Sequence, residues 1–246
     1  MARGRGLPAG VARRRSGTSV LKRLMPKFVD AALRRQEVVQ AVFRIVAADG
    51  LERASLREVA DEAELAVGSV RHYFASSDEL LAHSFGVVVD RIVRRLTAAD
   101  ERLAEVQPGT PEHHEGVLTV LGEFLPLDEE RAVDACVWMA FKAAARTKPF
   151  LAPEADRSHR AVAAIVGRLV MDLSSAAGPG AAGSGAAGAD AAGEQQRLVT
   201  EAERLLATLD GLTMHALLQP EWMTAQMCTD VLESHLNGLG SYAGSH

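Results

Sequence analysis

The sequence is short of aromatics, of cysteine and of long apolar runs, and each shortage closes off a class of answers. Phe, Trp and Tyr make up 4% of the 246 residues, within a hydrophobic fraction of 48%, so a core must be built mainly from aliphatic side chains and alanine. The two cysteines, Cys136 and Cys228, stand far apart in helix-like sequence and have no metal or redox spacing. They read as small core residues. No apolar run approaches the ~18 residues of a membrane-spanning helix, and the N-terminus lacks the apolar core of a secretory signal. The expectation is a soluble cytoplasmic protein with no membrane partner. No P-loop, dinucleotide motif, carboxylate dyad or nucleophile–base pair stands out, so neither an enzyme nor a cofactor is expected. His113 and His114 are adjacent at a helix start and point in different directions, so they read as solvated residues and no metal site is expected.

Charge is present but unevenly placed. The net charge is −5, yet residues 1–27 carry eight Lys or Arg and no acid, which leaves 19 basic and 32 acidic residues elsewhere. A basic arm on an acidic body points to nucleic acid or an anionic surface. Residues 1–24 are rich in Arg, Gly and Ser and aperiodic, and are expected to be a disordered arm.

From about residue 30 the apolar spacing is helical almost throughout, and no alternating strand pattern is long enough to count. Val38, Val42, Ile45 and Val46 make one apolar face, widened by Val39 and Phe43, and Asp49-Gly50 ends that helix. "SLRE" at 55–58 and "SSDE" at 76–79 read as capping boxes. Between them lie a short helix to about Ala63, a tight turn and a second short helix over about 67–73. Later helices are expected over 112–125, 128–147, 153–175, 195–218 and 224–238. The segment 176–193, where 15 of 18 residues are Ala or Gly, reads as a flexible loop.

Two short helices, a tight turn and a third helix form a helix-turn-helix, whose second helix enters the DNA major groove. Leu56, Val59, Ala60, Ala63, Leu65, Val70 and Phe74 suit its small core. The outward residues are then Ala66, Val67, Ser69, Arg71, His72 and Tyr73, with Gly68 leaving room for close approach to DNA. Arg reads guanine; Ser, Tyr and His bond phosphates. Residues 27–75 carry seven basic and eight acidic residues, so placement must do what total charge does not. Arg53, Arg57 and Arg71 are the candidate cluster.

The stretch "GLERASLREVADEAELAVGSVRHYFASSDELL" (50–81) resembles the tetracycline-repressor (TetR) family pattern "G…T…IA..AGVS.GT.Y.HF..K..L" without a gap, within a likeness covering residues 29–92. "LPLDEERAVDACVWMAF" and "LDGLTMHALLQPEWMT" are similar to its BetI-like branch. The resemblance implies an all-α fold, with an N-terminal three-helix helix-turn-helix domain (25–75) and a larger C-terminal helical ligand-binding and dimerisation domain (76–246). It puts Ser55 and Tyr73 at phosphate-contacting positions and Ser69 at the Thr/Ser position of the recognition helix. Three residues depart from the pattern: Glu64 replaces the turn glycine, Arg71 a common Tyr, and Ser77 a common Lys.

In the C-terminal part, Trp138, Met139, Phe141, Met214 and His215 are candidate pocket residues, against the alternative that they only fill a core. Leu205, Leu209, Leu212, Leu217, Met227, Val231, Leu232 and Leu236 form stripes suited to a two-fold dimer interface, against the alternative of packing within one subunit. The expectation is a ligand-responsive repressor that binds a palindromic operator as a homodimer and is released by a small-molecule inducer. The other reading is a helical ligand-binding or interaction protein with a degenerate DNA-binding domain.

Overall fold

A computed structural model of the chain describes residues 26–176 and 187–242. The described residues form α1 (Pro26–Asp49), α2 (Leu56–Glu62), α3 (Val67–Tyr73), α4 (Ser77–Leu103), α5 (Pro111–Gly122), α6 (Glu129–Ala145), α7 (Ala152–Ala176), α8 (Ala187–Leu218) and α9 (Ala225–Tyr242), with single 3-10 turns at Leu51–Arg53 and Pro149–Leu151 and no strand. The all-α expectation holds. The arm at 1–24 lies outside the described residues.

Residues up to Glu37 and from Val38 onward separate as two compact units. In the first, the described side chains are exposed along α1, with Arg34 bonded to Glu37 at 2.8 Å. In the second, every apolar residue expected on the α1 face, from Val38 to Val46, is buried. Gly50 follows with φ 85°, a conformation that costs glycine little.

The expected caps are present in altered form. The Ser55 hydroxyl accepts from the Glu58 amide at 3.2 Å, but Glu58 turns to Arg53 (3.6 Å) instead of reaching back. Ser76 accepts from the Glu79 amide at 3.1 Å, while the Glu79 carboxylate accepts from the Ala75 amide at 2.7 Å, one residue earlier than a standard box. Thr110 and Asp128 cap α5 and α6 in the same way. The Asp128 carboxyl is held below its usual range by the Arg131 amide, against a smaller opposing effect of burial.

α4 is the spine of the larger unit. It packs against α5, α6 and α7, while α7 packs on α8 and α8 on α9. Leu80, Leu81, Phe85, Val88 and Ile92 all point into the core, and Phe85 stacks on Phe141 of α6 at 5.1 Å. Among the buried polar residues, Asp134 and His113 sit in apolar stripes. Asp134 lies on the α6 face of Val137, Trp138 and Phe141, fully buried, and takes Arg95 at 2.6 Å and Arg91 at 3.2 Å from α4. A buried carboxylate with both oxygens paired ties two helices in one register. His113, expected in solvent, is buried instead, because it heads the inward face of Val117 and Val120 at i+4 and i+7.

The Ala/Gly segment is shorter than its composition implies. α7 runs to Ala176 and α8 begins at Ala187; residues 177–186 lie outside the described residues. Four of the seven residues 187–193 are alanine, the strongest helix former, and they extend a helix that packing further along already stabilises.

Candidate nucleic-acid interface and ligand cavity

The geometry of the α2–α3 turn comes from one strained residue. Glu64 has φ 54°, the only positive φ of a non-glycine among the described residues. It lets the Leu65 amide reach back to the Ala60 carbonyl at 2.9 Å, the six-to-one bond of a Schellman ending. Its cost is about 1 kcal/mol, the left-handed penalty of a residue with a Cβ. At the same end of α2, Arg44 of α1 pairs with the Glu62 carboxylate and also donates to the Glu62 carbonyl at 3.3 Å.

α3 then packs by one side only. Val70 and Phe74 are wholly buried against Val59 and Ala60, with Leu56, Ala63 and Leu65 half-buried around them. Ala66, Gly68, Ser69, Arg71 and His72 are exposed; Val67 and Tyr73 are half-buried, and the Tyr73 ring meets His72 edge-on at 5.2 Å. A Cβ built at Gly68 would meet nothing within 4 Å, so the free protein gives no packing reason for a glycine there. Arg57 and Arg71 are exposed and have no acidic partner among the described residues, whereas Arg53 is shared with Glu58. Ser55 spends a lone pair on its cap and keeps its O–H as a donor. The face therefore offers two guanidinium groups, two hydroxyls from Ser55 and Ser69, a phenol, an imidazole and a gap wide enough for a close approach.

Of the pocket candidates, only Trp138 lines the cavity that forms between α6, α7 and α8. That cavity encloses about 200 Å3, with apolar walls from Phe124, Val162, Leu206 and Leu209 and polar groups from Lys142, Ser158, His159, Glu203 and Asp210. The Trp138 ring is fixed on two sides. Its Nε1 donates to buried Ser158 Oγ at 2.8 Å, and the Lys142 ammonium lies 4.4 Å over its centre while pairing with Asp210 at 2.7 Å. Phe141 belongs to the core, stacked on Phe85; Met139 is half-buried; Met214 and His215 are exposed and absent from the cavity wall. The apolar spacing of α8 did not separate its inner from its outer face. Ser158 was detectable: it heads the buried series Val162, Val166, Val170 at four-residue steps, a hydroxyl on an apolar stripe. A larger groove of about 660 Å3 at the start of α6 is open to solvent and edged by Asp128, Glu129 and Glu130.

The proposed dimer stripes divide in the same way. Leu205, Leu209, Leu212, Leu232 and Leu236 are buried inside the subunit and are not available to a partner, and Leu217 is half-buried. Met227 and Val231 remain exposed, together with Met214, expected in the pocket, and with Leu218 (72% exposed) and Trp222 (74%), which sequence spacing did not single out. The physical reason is that α8 and α9 are apolar on two sides, and the subunit needs one of them to close over α5 and α7.

No described helix is long and apolar enough to cross a membrane. Residues 39–83 match the family model described as bacterial regulatory proteins, tetR family, and residues 113–241 match that of the BetI-type transcriptional repressor, C-terminal. The HTH-type transcriptional regulator PksA of Bacillus subtilis is 32% identical over 87% of this chain and 94% of its own. A crystal structure of a transcriptional regulator from Rhodococcus superposes with a TM-score of 0.66 at 26% identity, covering 86% of this chain and 98% of the other. A regulator from Saccharomonospora viridis, solved in complex with choline, shares the fold at a TM-score of 0.60 and 16% identity over 86% and 97% of the two chains.

Proposed function

Because this chain belongs to the tetR family of bacterial regulatory proteins, and is a DNA-binding transcriptional regulator and not an enzyme, we propose that it is a cytoplasmic homodimeric repressor, released from a palindromic operator by a small molecule held between α6, α7 and α8. The observation that carries the reading is the split of α3 into a buried side, Val70 and Phe74, and a bare side with unpaired Arg71 next to an uncrowded Gly68. Val70 and Phe74 fix which way α3 faces, so Ser69, Arg71 and His72 are held outward on one surface. Ser55, Ser69, Tyr73 and Arg57 position the domain on phosphates, and Arg71 reads a base edge.

The exposed Met214, Leu218, Trp222, Met227 and Val231 support a two-fold interface with a second copy. A two-fold dimer sets its two α3 helices one DNA turn apart, ~34–36 Å, or a multiple of it, and so requires a palindrome. The cavity has an apolar body and a few fixed polar groups, the make-up of a small-molecule site. Family members bind DNA and small ligands, which supports both halves of the reading.

The test is selection of duplexes from a random pool by the full chain, followed by mobility shift at low salt. The expected result is a palindromic consensus bound by a dimer. Failure of a folded, dimeric protein to retain any duplex overturns the repressor reading and leaves a ligand-binding protein with a degenerate reading domain.

A further inference from the structure

The first turns of α7 carry the cavity on one side and a hold on α4 on the other. Ala155, Ser158 and His159 line the cavity. Between them, Arg157 reaches to α4: its Nη1 lies 2.7 Å from Asp90 Oδ1, and its Nη2 donates to the Gly86 carbonyl oxygen at 3.1 Å. Its Nε donates to Glu154 Oε2 at 2.7 Å, which ties the guanidinium to its own helix. A planar fork fixed at its base moves with the turn that bears it.

The point that Arg157 holds is a particular one. Gly86 lies inside a 27-residue helix, where glycine weakens the backbone locally. Before Gly86, α4 meets the end of the reading helix, where the His83 ring lies 5.4 Å from that of Phe74, and Phe85 already stacks on Phe141 of α6. After Gly86, Arg91 and Arg95 fix α4 to Asp134 of α6. Arg157 therefore grips α4 between the His83 contact with Phe74 and the Arg91 and Arg95 pairs with Asp134.

We propose that Arg157 couples occupancy of the cavity to α4, and through α4 to the angle of α3. A ligand that presses on Ala155 and Ser158 shifts their turn, and the guanidinium carries that shift to Gly86 and Asp90. This rests on the reading of the cavity as the ligand site. Ser158 is the neighbouring sensor, since any rotation of the turn also strains its bond to Trp138. The bond to the Gly86 carbonyl distinguishes the device from an ordinary surface pair, because it acts on the α4 backbone and not on a mobile side chain.

The test uses the full chain, with a bulky side chain in place of an unidentified ligand. Ala155→Leu presses on the cavity from α7, and Leu206→Trp fills it from the facing α8 wall, against the α7 turn. Each is made in the native chain and in Arg157→Ala. Two quantities are read: affinity for a duplex selected by the native chain, and hydrogen exchange of the α4 amides at 83–90. Filling should weaken DNA binding about tenfold when Arg157 is present and at most about twofold in Arg157→Ala, a non-additivity that marks energetic coupling. Exchange at 83–90 should quicken only when Arg157 is present. Arg157→Lys, which keeps the charge but not the fork, should behave like Arg157→Ala. If Ala155→Leu fails to fold, Leu206→Trp gives the same reading. Equal losses with and without Arg157, in both affinity and exchange, overturn the proposal. Coupled exchange in a chain that selects no duplex supports the mechanical link and overturns the repressor reading, so the two failures are distinguishable.

Discussion

The reading helix α3 and the paired helices α8 and α9 both carry apolar residues at helical spacing, yet they use them differently. α3 has seven residues and buries one side, with Val70 and Phe74 inside and everything polar outside. α8 and α9 bury Leu205, Leu209, Leu212, Leu232 and Leu236 and still expose Met214, Leu218, Met227 and Val231. A helix with one apolar side has one way to pack, so its outer face follows from its inner face. A helix with two apolar sides has two ways, and only its neighbours choose between them.

The largest expected effect sharpens that contrast within α9. Leu232→Ala should cost about 2–5 kcal/mol of stability, the range for a buried leucine, read as a lower urea midpoint. Met227→Glu, one turn away but on the bare side, should leave that midpoint near its native value when subunit concentration is low. It should instead raise the dimer dissociation constant by at least about tenfold in sedimentation, since a charge at a buried interface is strongly disfavoured. The reverse pattern would break the division of the helix into inner and outer faces.

The next effect belongs to α3. Arg71→Ala should lower discrimination at one base pair by about 1–3 kcal/mol if Arg71 reads a base, measured by competition between the selected duplex and single-pair variants. An even loss across all duplexes, with a shallower salt slope, would make it a phosphate contact instead. The smallest effect concerns the turn before α3. Glu64→Gly should stabilise the protein by about 1 kcal/mol by removing a left-handed residue with a Cβ, less the backbone freedom that glycine adds to the unfolded chain. An unchanged or lower thermal midpoint would show that Glu64 is held there by something other than backbone geometry.

Much of this molecule was legible in its sequence. Apart from the start of α8, eight residues earlier than expected, the helices fell within a few residues of their expected places because caps and proline mark their ends: Ser55, Ser76, Thr110 and Asp128 each accept from an amide three residues on. Glu64 stood out because the resemblance puts a turn glycine at its position, and the structure gives it the positive φ that a glycine adopts at little cost. The buried state of His113 and the roles of Met214 and Phe141 were not, because period alone assigns residues to a stripe but not to a depth.

What the sequence alone determined is therefore local: helix ends, the turn, and the one-sided chemistry of α3, all set by bonds between residues a few positions apart. Tertiary structure alone decided which apolar stripe closes over the core and which is left for a partner. It also brought Asp134 to two arginines 39 and 43 residues away, Trp138 to Ser158, and Arg157 to Gly86 across 71 residues of chain. Such contacts depend on how helices are placed against one another, and the order of residues along any single helix does not encode that placement.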